Sequence, residues 1–194
     1  MRTGIFKSPV AGPVFLDREG FEGDGQADRR VHGGPDRAAY AYPHEHYEHW
    51  RPRLGGGELP YGQFGENLTL VGIRESDVGI GDILRLGKAR VQVTAPRAPC
   101  FKLGIRTGDE DIIEPFLASG RLGFYLRVLE PGAVAAGDPV SIEERDAAGI
   151  TVETLIALLY GNGRTRDRAL LERALTIPSL MDGLRRSLEK RRSG

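Results

Sequence analysis

The apolar residues change their spacing near residue 150, and that change sets what the chain can fold into. Before it, glycine and proline interrupt every apolar run, a pattern of short strands and turns rather than long helices. After it, Val152, Leu155, Ile156 and Leu159 fall at i, i+3, i+4 and i+7, one face of a helix. Thr151 is placed to cap that helix and Gly161 with Gly163 to stop it. Leu170, Leu171, Ala174 and Leu175 form a second stripe, with Thr165 as its cap. Ile177, Leu180, Met181, Leu184 and Leu188 form a third, with Thr176 before it and Pro178 in its first turn. The expected organisation is a mainly β domain over residues 1–150 and a small three-helix appendage over 151–194 that leans on it.

Within the first part, Ile83, Leu84 and Leu86, then Gly87-Lys88, then Val91 to Thr94 predict a hairpin, and Phe124 to Leu129 a further strand. Two segments echo each other: Gly81-Asp82 ahead of Ile83, and Gly137-Asp138 ahead of Val140. Each reads as a tight entry into a strand, where glycine permits positive φ. Helices are expected from about Pro43 to Arg53 and from about Asp109 to Ala118, the latter with acids in its first turn and Gly120 as its stop.

Charge and cysteine content narrow the function. Lys plus Arg and Asp plus Glu are 27 each, which argues against a dedicated nucleic-acid binder. The balance hides an asymmetry: 18 basic against 22 acidic side chains up to residue 150, then 9 against 5, a tail of net +4. One cysteine excludes an internal disulfide and any cysteine-cluster zinc site. No signal-like apolar run opens the chain, and no stretch approaches the ~18 apolar residues of a membrane span, so the cytoplasm is the expected compartment. Nucleotide-type glycine loops and the Gly-x-Ser-x-Gly nucleophile elbow are missing.

Three segments carry possible chemistry. Cys100 stands in Pro96-Arg97-Ala98-Pro99-Cys100-Phe101-Lys102, a proline-stiffened loop with a cation on either side. Nearby cations favour a thiolate, which can attack an electrophile or bind a soft metal; the plain alternative is a small buried hydrophobe. Arg29, Arg30, His32 and Arg37 surround Gly33-Gly34-Pro35 and could present donors to one anion, or form a solvated basic loop. Gly65-Glu66-Asn67 reads as a turn entering a strand, with Asn67 able to address a heterocycle edge. His44, His46 and His49 imitate a metal cluster, but on a helix three such ligands do not converge; Tyr47 and Trp50 are the core-facing residues there.

In this order, Arg30-Val31-His32-Gly33-Gly34-Pro35-Asp36-Arg37, Phe64-Gly65-Glu66-Asn67-Leu68 and Pro96-Arg97-Ala98-Pro99-Cys100-Phe101-Lys102-Leu103 resemble the MOSC family, named after the C-terminal domain of molybdenum-cofactor sulfurase. Gly123-Phe124-Tyr125-Leu126-Arg127-Val128 and the three-helix tail are most similar to its YiiM-like branch. The resemblance implies a MOSC-type β-barrel that binds molybdenum cofactor (molybdopterin), with Cys100 as the molybdenum ligand and catalytic residue. It implies cofactor-binding roles at Arg29, Arg30, His32, Arg37, Asn67, Arg97, Lys102 and Arg127. It further implies an oxidoreductase that reduces N-hydroxylated compounds of purine or amidoxime type, fed by a separate flavoprotein or iron–sulfur donor, with His32 as a proton carrier. The family also carries a pyridoxal phosphate label. The competing expectations are a sulfur carrier using a Cys100 persulfide and a non-catalytic molybdenum-cofactor carrier.

Overall fold

The computed structural model describes residues 4–24, 34–161 and 167–193. Its strands are β1 (Val14–Asp17), β2 (Gly20–Phe21), β3 (Ala39–Pro43), β4 (Leu68–Leu70), β5 (Ile83–Leu86), β6 (Ala89–Pro96), β7 (Phe124–Glu130), β8 (Gly132–Val134) and β9 (Val140–Glu144). Six of them form one sheet in the order β4-β3-β7-β6-β5-β9, and β2-β1-β8 form a second. All pairs are antiparallel except β3 with β4. The helices are α1 (His46–Trp50), α2 (Lys102–Thr107), α3 (Ile113–Ser119), α4 (Val152–Tyr160), α5 (Arg168–Leu175) and α6 (Asp182–Ser193). The fold is mainly β, as expected, with a C-terminal set of helices. Among the described residues no helix is long and apolar enough to cross a membrane.

The strand entries follow the sequence closely. Gly81 and Gly137 adopt φ of 95° and 90°. The aspartate after each closes its turn in the same way: Asp82 Oδ2 accepts from Gly79 N at 2.8 Å, and Asp138 Oδ2 from Ala135 N at 2.8 Å. The two strands they open, β5 and β9, lie side by side. The β5–β6 hairpin turns through Gly87-Lys88, with Leu86 opposite Ala89.

Three helix expectations need correction. Pro43 does not start a helix; it closes β3, opposite Leu70 in the parallel ladder, and α1 begins at His46. β3 is buried along its whole length, as a parallel-paired strand covered on both faces is. The helix expected from Asp109 starts at Ile113, because the Asp109 carboxylate is occupied by Arg53 and by Asp111 N; Gly120, at φ 68°, does stop it. The third tail helix starts at Asp182. Residues 176–180 are joined by i→i−3 bonds, from Thr176 to Arg173, Ile177 to Ala174 and Leu180 to Ile177. Pro178 lacks the N–H that a regular ladder would need.

The first tail helix is capped as read: Thr151 Oγ1 accepts from Thr154 N at 3.0 Å, worth about 1 kcal/mol. Thr165, the expected cap of the second, lies outside the described residues; Asp167 Oδ1 receives Ala169 N and Leu170 N instead. Val152, Leu155, Ile156, Leu158 and Leu159 are buried in the same apolar cluster as Ile80, Leu84 and Val93 of the sheet region. Each such side chain contributes roughly 1.5–3 kcal/mol on burial, so α4 is held mainly by the sheet side rather than by its own propensity. Backbone bonds from Ile80 N to Ile150 O and from Val152 N to Val78 O fix its entry.

Candidate functional site

Strand β7 alternates. Phe124, Leu126 and Val128 face the core, while Tyr125 and Arg127 stand half-buried on the opposite side. Tyr125 pairs across the ladder with Tyr40 of β3, and with Ala95 of β6 on its other side. The sheet therefore brings together two loops far apart in sequence: the turn before β3, which ends in Arg37, and the loop after β6, which holds Arg97 and Cys100.

Arg97 is the most informative residue in this region. Its side chain is buried, with 6% of the residue exposed. The guanidinium carbon lies 4.8 Å from the Tyr40 ring centroid and 5.7 Å from that of Phe116. Burial opposes its charge, but the Tyr40 and Tyr125 hydroxyls and the Cys100 thiol favour it, and its pKa stays above the ordinary value. Its Nη1 is buried with no hydrogen-bond partner among the described residues. A buried cationic donor left so is costly unless an acceptor completes it. Cys100 lies three residues on, half-buried, and its carbonyl accepts from Leu103 N at 2.8 Å, which begins the α2 turn. Lys102 is the first residue of α2 and is half-buried.

Arg37 stands over the other tyrosine, 5.5 Å from the Tyr125 centroid. The Tyr40 and Tyr125 centroids are 5.6 Å apart, so the two arginines flank one aromatic pair. Pro35–Arg37 form a single 3₁₀ turn, pinned to the sheet by Thr94 Oγ1, which donates to Asp36 O at 2.6 Å. Arg127 Nε donates to Asp36 Oδ1 at 2.8 Å and its Nη1 to Gln92 Oε1 at 3.3 Å. Arg127 thus braces the turn in this structure. Arg29, Arg30 and His32 lie outside the described residues.

The Gly65-Glu66-Asn67 segment is a knot. Glu66 is buried and accepts from Gly62 N, Phe64 N, Thr69 Oγ1 and the Tyr47 hydroxyl. Asn67 clamps the edge of β3: its Oδ1 accepts from Tyr40 N at 3.0 Å and its Nδ2 donates to Asp24 Oδ2 at 2.7 Å. Its amide orients the strand that carries Tyr40. Tyr47 and Trp50 are core residues, as read, and His46 joins them, with its Nε2 2.6 Å from Glu75 Oε2.

The tail reaches this region. A cleft of about 410 Å³ separates Asp36 and Arg127 from residues 178–183, ahead of and at the start of α6. Tyr160, in the last turn of α4, has its hydroxyl pKa raised by burial and by Tyr125, against the lowering pull of Arg191 and Arg37. Tyr40, Tyr125 and Tyr160 escaped the sequence reading. The alternation of Tyr125 with Arg127 was the one signal for them; nothing in the sequence points to Tyr160. Nothing among the described residues speaks for pyridoxal phosphate.

Comparison with known proteins agrees with this architecture. The family model "MOSC domain" matches residues 28–141, and "YiiM-like, 3-alpha helix domain" matches residues 150–194. Protein YiiM of Escherichia coli (strain K12) is 38% identical over 192 residues, covering 98% of this chain and 84% of that protein. The crystal structure of YiiM from Geobacillus stearothermophilus superposes with a TM-score of 0.84 at 35% identity, over 98% of this chain and 90% of that one. A protein named Reductase from Gibberella moniliformis is 37% identical over 146 residues, 74% of this chain but only 26% of that protein. A sheet that sets Arg97 and Arg37 on one pair of tyrosines, matched in sequence and in shape along nearly the whole chain, makes this protein a member of the MOSC domain family with a YiiM-like three-helix domain.

Proposed function

We propose that the chain binds molybdenum cofactor at the Arg37–Arg97–Cys100 face and acts as a reductase of N-hydroxylated compounds. The observation that carries the reading is the buried Arg97 guanidinium, with Nη1 unpartnered among the described residues, beside a half-buried thiol. The donor set fits: a thiolate suits a soft metal, and guanidinium forks suit phosphate and other anionic groups. Bound molybdenum cofactor supplies two-electron oxygen-atom chemistry of the kind that reduces an N–O bond.

The chain's own residues do the rest. Cys100 offers the sulfur ligand from a loop stiffened by Pro96 and Pro99. Arg97 completes its hydrogen bonding on an anionic oxygen of the cofactor, and Arg37, Lys102 and the Arg29–Arg30 segment add positive field. Arg127 and Asn67 act one step back in this reading, by holding the Pro35–Arg37 turn and β3. His32 would carry a proton towards the leaving oxygen, imidazole being the side chain whose free pKa lies near neutrality. The relative named Reductase supports oxidoreductase chemistry. Here a separate flavoprotein or iron–sulfur protein would serve. The division into residues 1–150 and 151–194, and a cytoplasmic location, belong to the same proposal.

The test is metal and pterin analysis of protein made in a molybdenum-sufficient host, followed by turnover of an N-hydroxylated purine with a chemical reductant. About one molybdenum and one pterin per chain with N–O reduction supports the reading. Cyanide-labile sulfur without molybdenum would replace it with a persulfide carrier. Bound cofactor that passes to an apo-enzyme without turnover would replace it with a cofactor carrier.

A further inference from the structure

We propose that Glu75 is a positioning residue for the Arg97–Cys100 loop, acting through the backbone of Gly123. The proposal rests on reading that loop as the cofactor holder. Glu75 lies in the connection between β4 and β5 and is 4% exposed. Its Oε1 accepts from Gly123 N at 2.7 Å, and the Gly123 carbonyl accepts from Arg97 N at 3.2 Å. One glycine therefore links the carboxylate to the residue whose guanidinium faces the site.

The turn that contains Gly123 is fixed from several sides. The Tyr42 hydroxyl donates to Arg121 O at 3.2 Å and the Tyr40 hydroxyl to Leu122 O at 2.8 Å. Gly123 itself has φ 66°, and a Cβ there would come within 2.8 Å of the Tyr40 ring and 2.9 Å of the Tyr42 ring. The turn packs so closely on the tyrosines that its position dictates where Arg97 starts. Glu75 is fixed as well. Its second oxygen meets His46 Nε2 at 2.6 Å, and its carbonyl accepts from Glu153 N at 3.0 Å in the first turn of α4. The residue is tied to α1 through its carboxylate and to the tail through its backbone carbonyl, so it gives Gly123 a fixed partner. It anchors the back of the turn, while Tyr40 carries both the turn and the Arg97 guanidinium on its ring.

The experiment compares Glu75→Ala and Glu75→Gln with the parent protein. Gln keeps an oxygen for Gly123 N and removes the charge; its N–H meets His46 Nε2 with donor and acceptor exchanged, once the ring carries its proton on Nδ1. The first readout is amide hydrogen exchange of the cofactor-free protein, resolved at residues 97 and 123. The second is molybdenum content per chain after cofactor loading. With Ala, exchange at Arg97 and Gly123 should accelerate at least about tenfold while the β5–β6 amides keep their protection, the sign of local rather than global opening. Molybdenum content should fall with Ala and recover with Gln. Uniform acceleration across the sheet, unchanged exchange at Arg97, or full molybdenum content in a locally opened Ala variant would each overturn the proposal. If Glu75→Ala does not fold, Glu75→Asp replaces it, since the shorter side chain cannot span both partners; parent-like exchange at residues 97 and 123 in that variant overturns the proposal too. Parent protein that takes up no molybdenum would instead count against the functional reading, and the exchange data would still decide the role of Glu75.

Discussion

Replacing Arg97 with Met separates binding from folding, because its two contributions to folding oppose each other while its contribution to binding stands alone. Met keeps most of the aliphatic stem and removes the charge. In the cofactor-free protein the guanidinium gains about 2 kcal/mol from a desolvated contact with an aromatic face, here that of Tyr40. Against this stands the buried Nη1 without a partner among the described residues, a penalty of roughly 1–3 kcal/mol. The terms nearly cancel, so the variant should unfold within about 1 kcal/mol of the parent in urea. Cofactor binding loses a charge-assisted hydrogen bond of about 1.5–3 kcal/mol, a fall in affinity of roughly 10- to 150-fold. The assay pairs urea unfolding of cofactor-free protein with cofactor retention on gel filtration. A variant destabilised by several kcal/mol that retains its cofactor would make Arg97 a structural cation and refute the reasoning.

Three further outcomes follow from the same geometry. Cys100→Ala should abolish turnover yet leave circular dichroism and thermal midpoint close to the parent, since the residue is only half-buried; parent-like activity in loaded variant protein would reject its role. Gly123→Ala should cost several kcal/mol of stability, because a Cβ at φ 66° meets the Tyr40 and Tyr42 rings and the Ala41 carbonyl, and a parent-like urea midpoint would contradict the packing. His49 is held below its ordinary pKa of 6.5 by burial, then by Arg121 and His46. The unfolded chain therefore takes up its proton first as pH falls, so the residue contributes nothing unfavourable above about pH 6.5 and lowers stability below it. His49→Asn should flatten the acid side of the urea midpoint against pH; an identical profile would exclude His49 from that slope.

The parts of this molecule that are local were legible in the sequence. Gly81-Asp82 and Gly137-Asp138 each encode a turn closed by the aspartate's own side chain, and Thr151 encodes a cap within three residues of itself. Helix starts were misread where a distant partner decides them: Asp109 is taken by Arg53, and Pro43 is held in a ladder opposite Leu70. The site divides the same way. Arg37, Arg97 and Cys100 were visible as motif residues, because their chemistry is carried by residue type. That Arg37 and Arg97 flank one aromatic pair depends on the Tyr40–Tyr125 register, a pairing across 85 residues that no local pattern specifies. Glu75 was invisible for the same reason: its work is done on the backbone of a glycine 48 positions away. Arg127 was legible as a cation of this face, but only the structure shows it spending its donors on Asp36 and Gln92.

The central claim is that Cys100 binds the metal of a cofactor seated against Arg97. Molybdenum K-edge X-ray absorption on cofactor-loaded parent and Cys100→Ser protein tests it most directly. One sulfur fewer around molybdenum in the variant is the predicted result. An identical sulfur shell in both proteins would contradict the account.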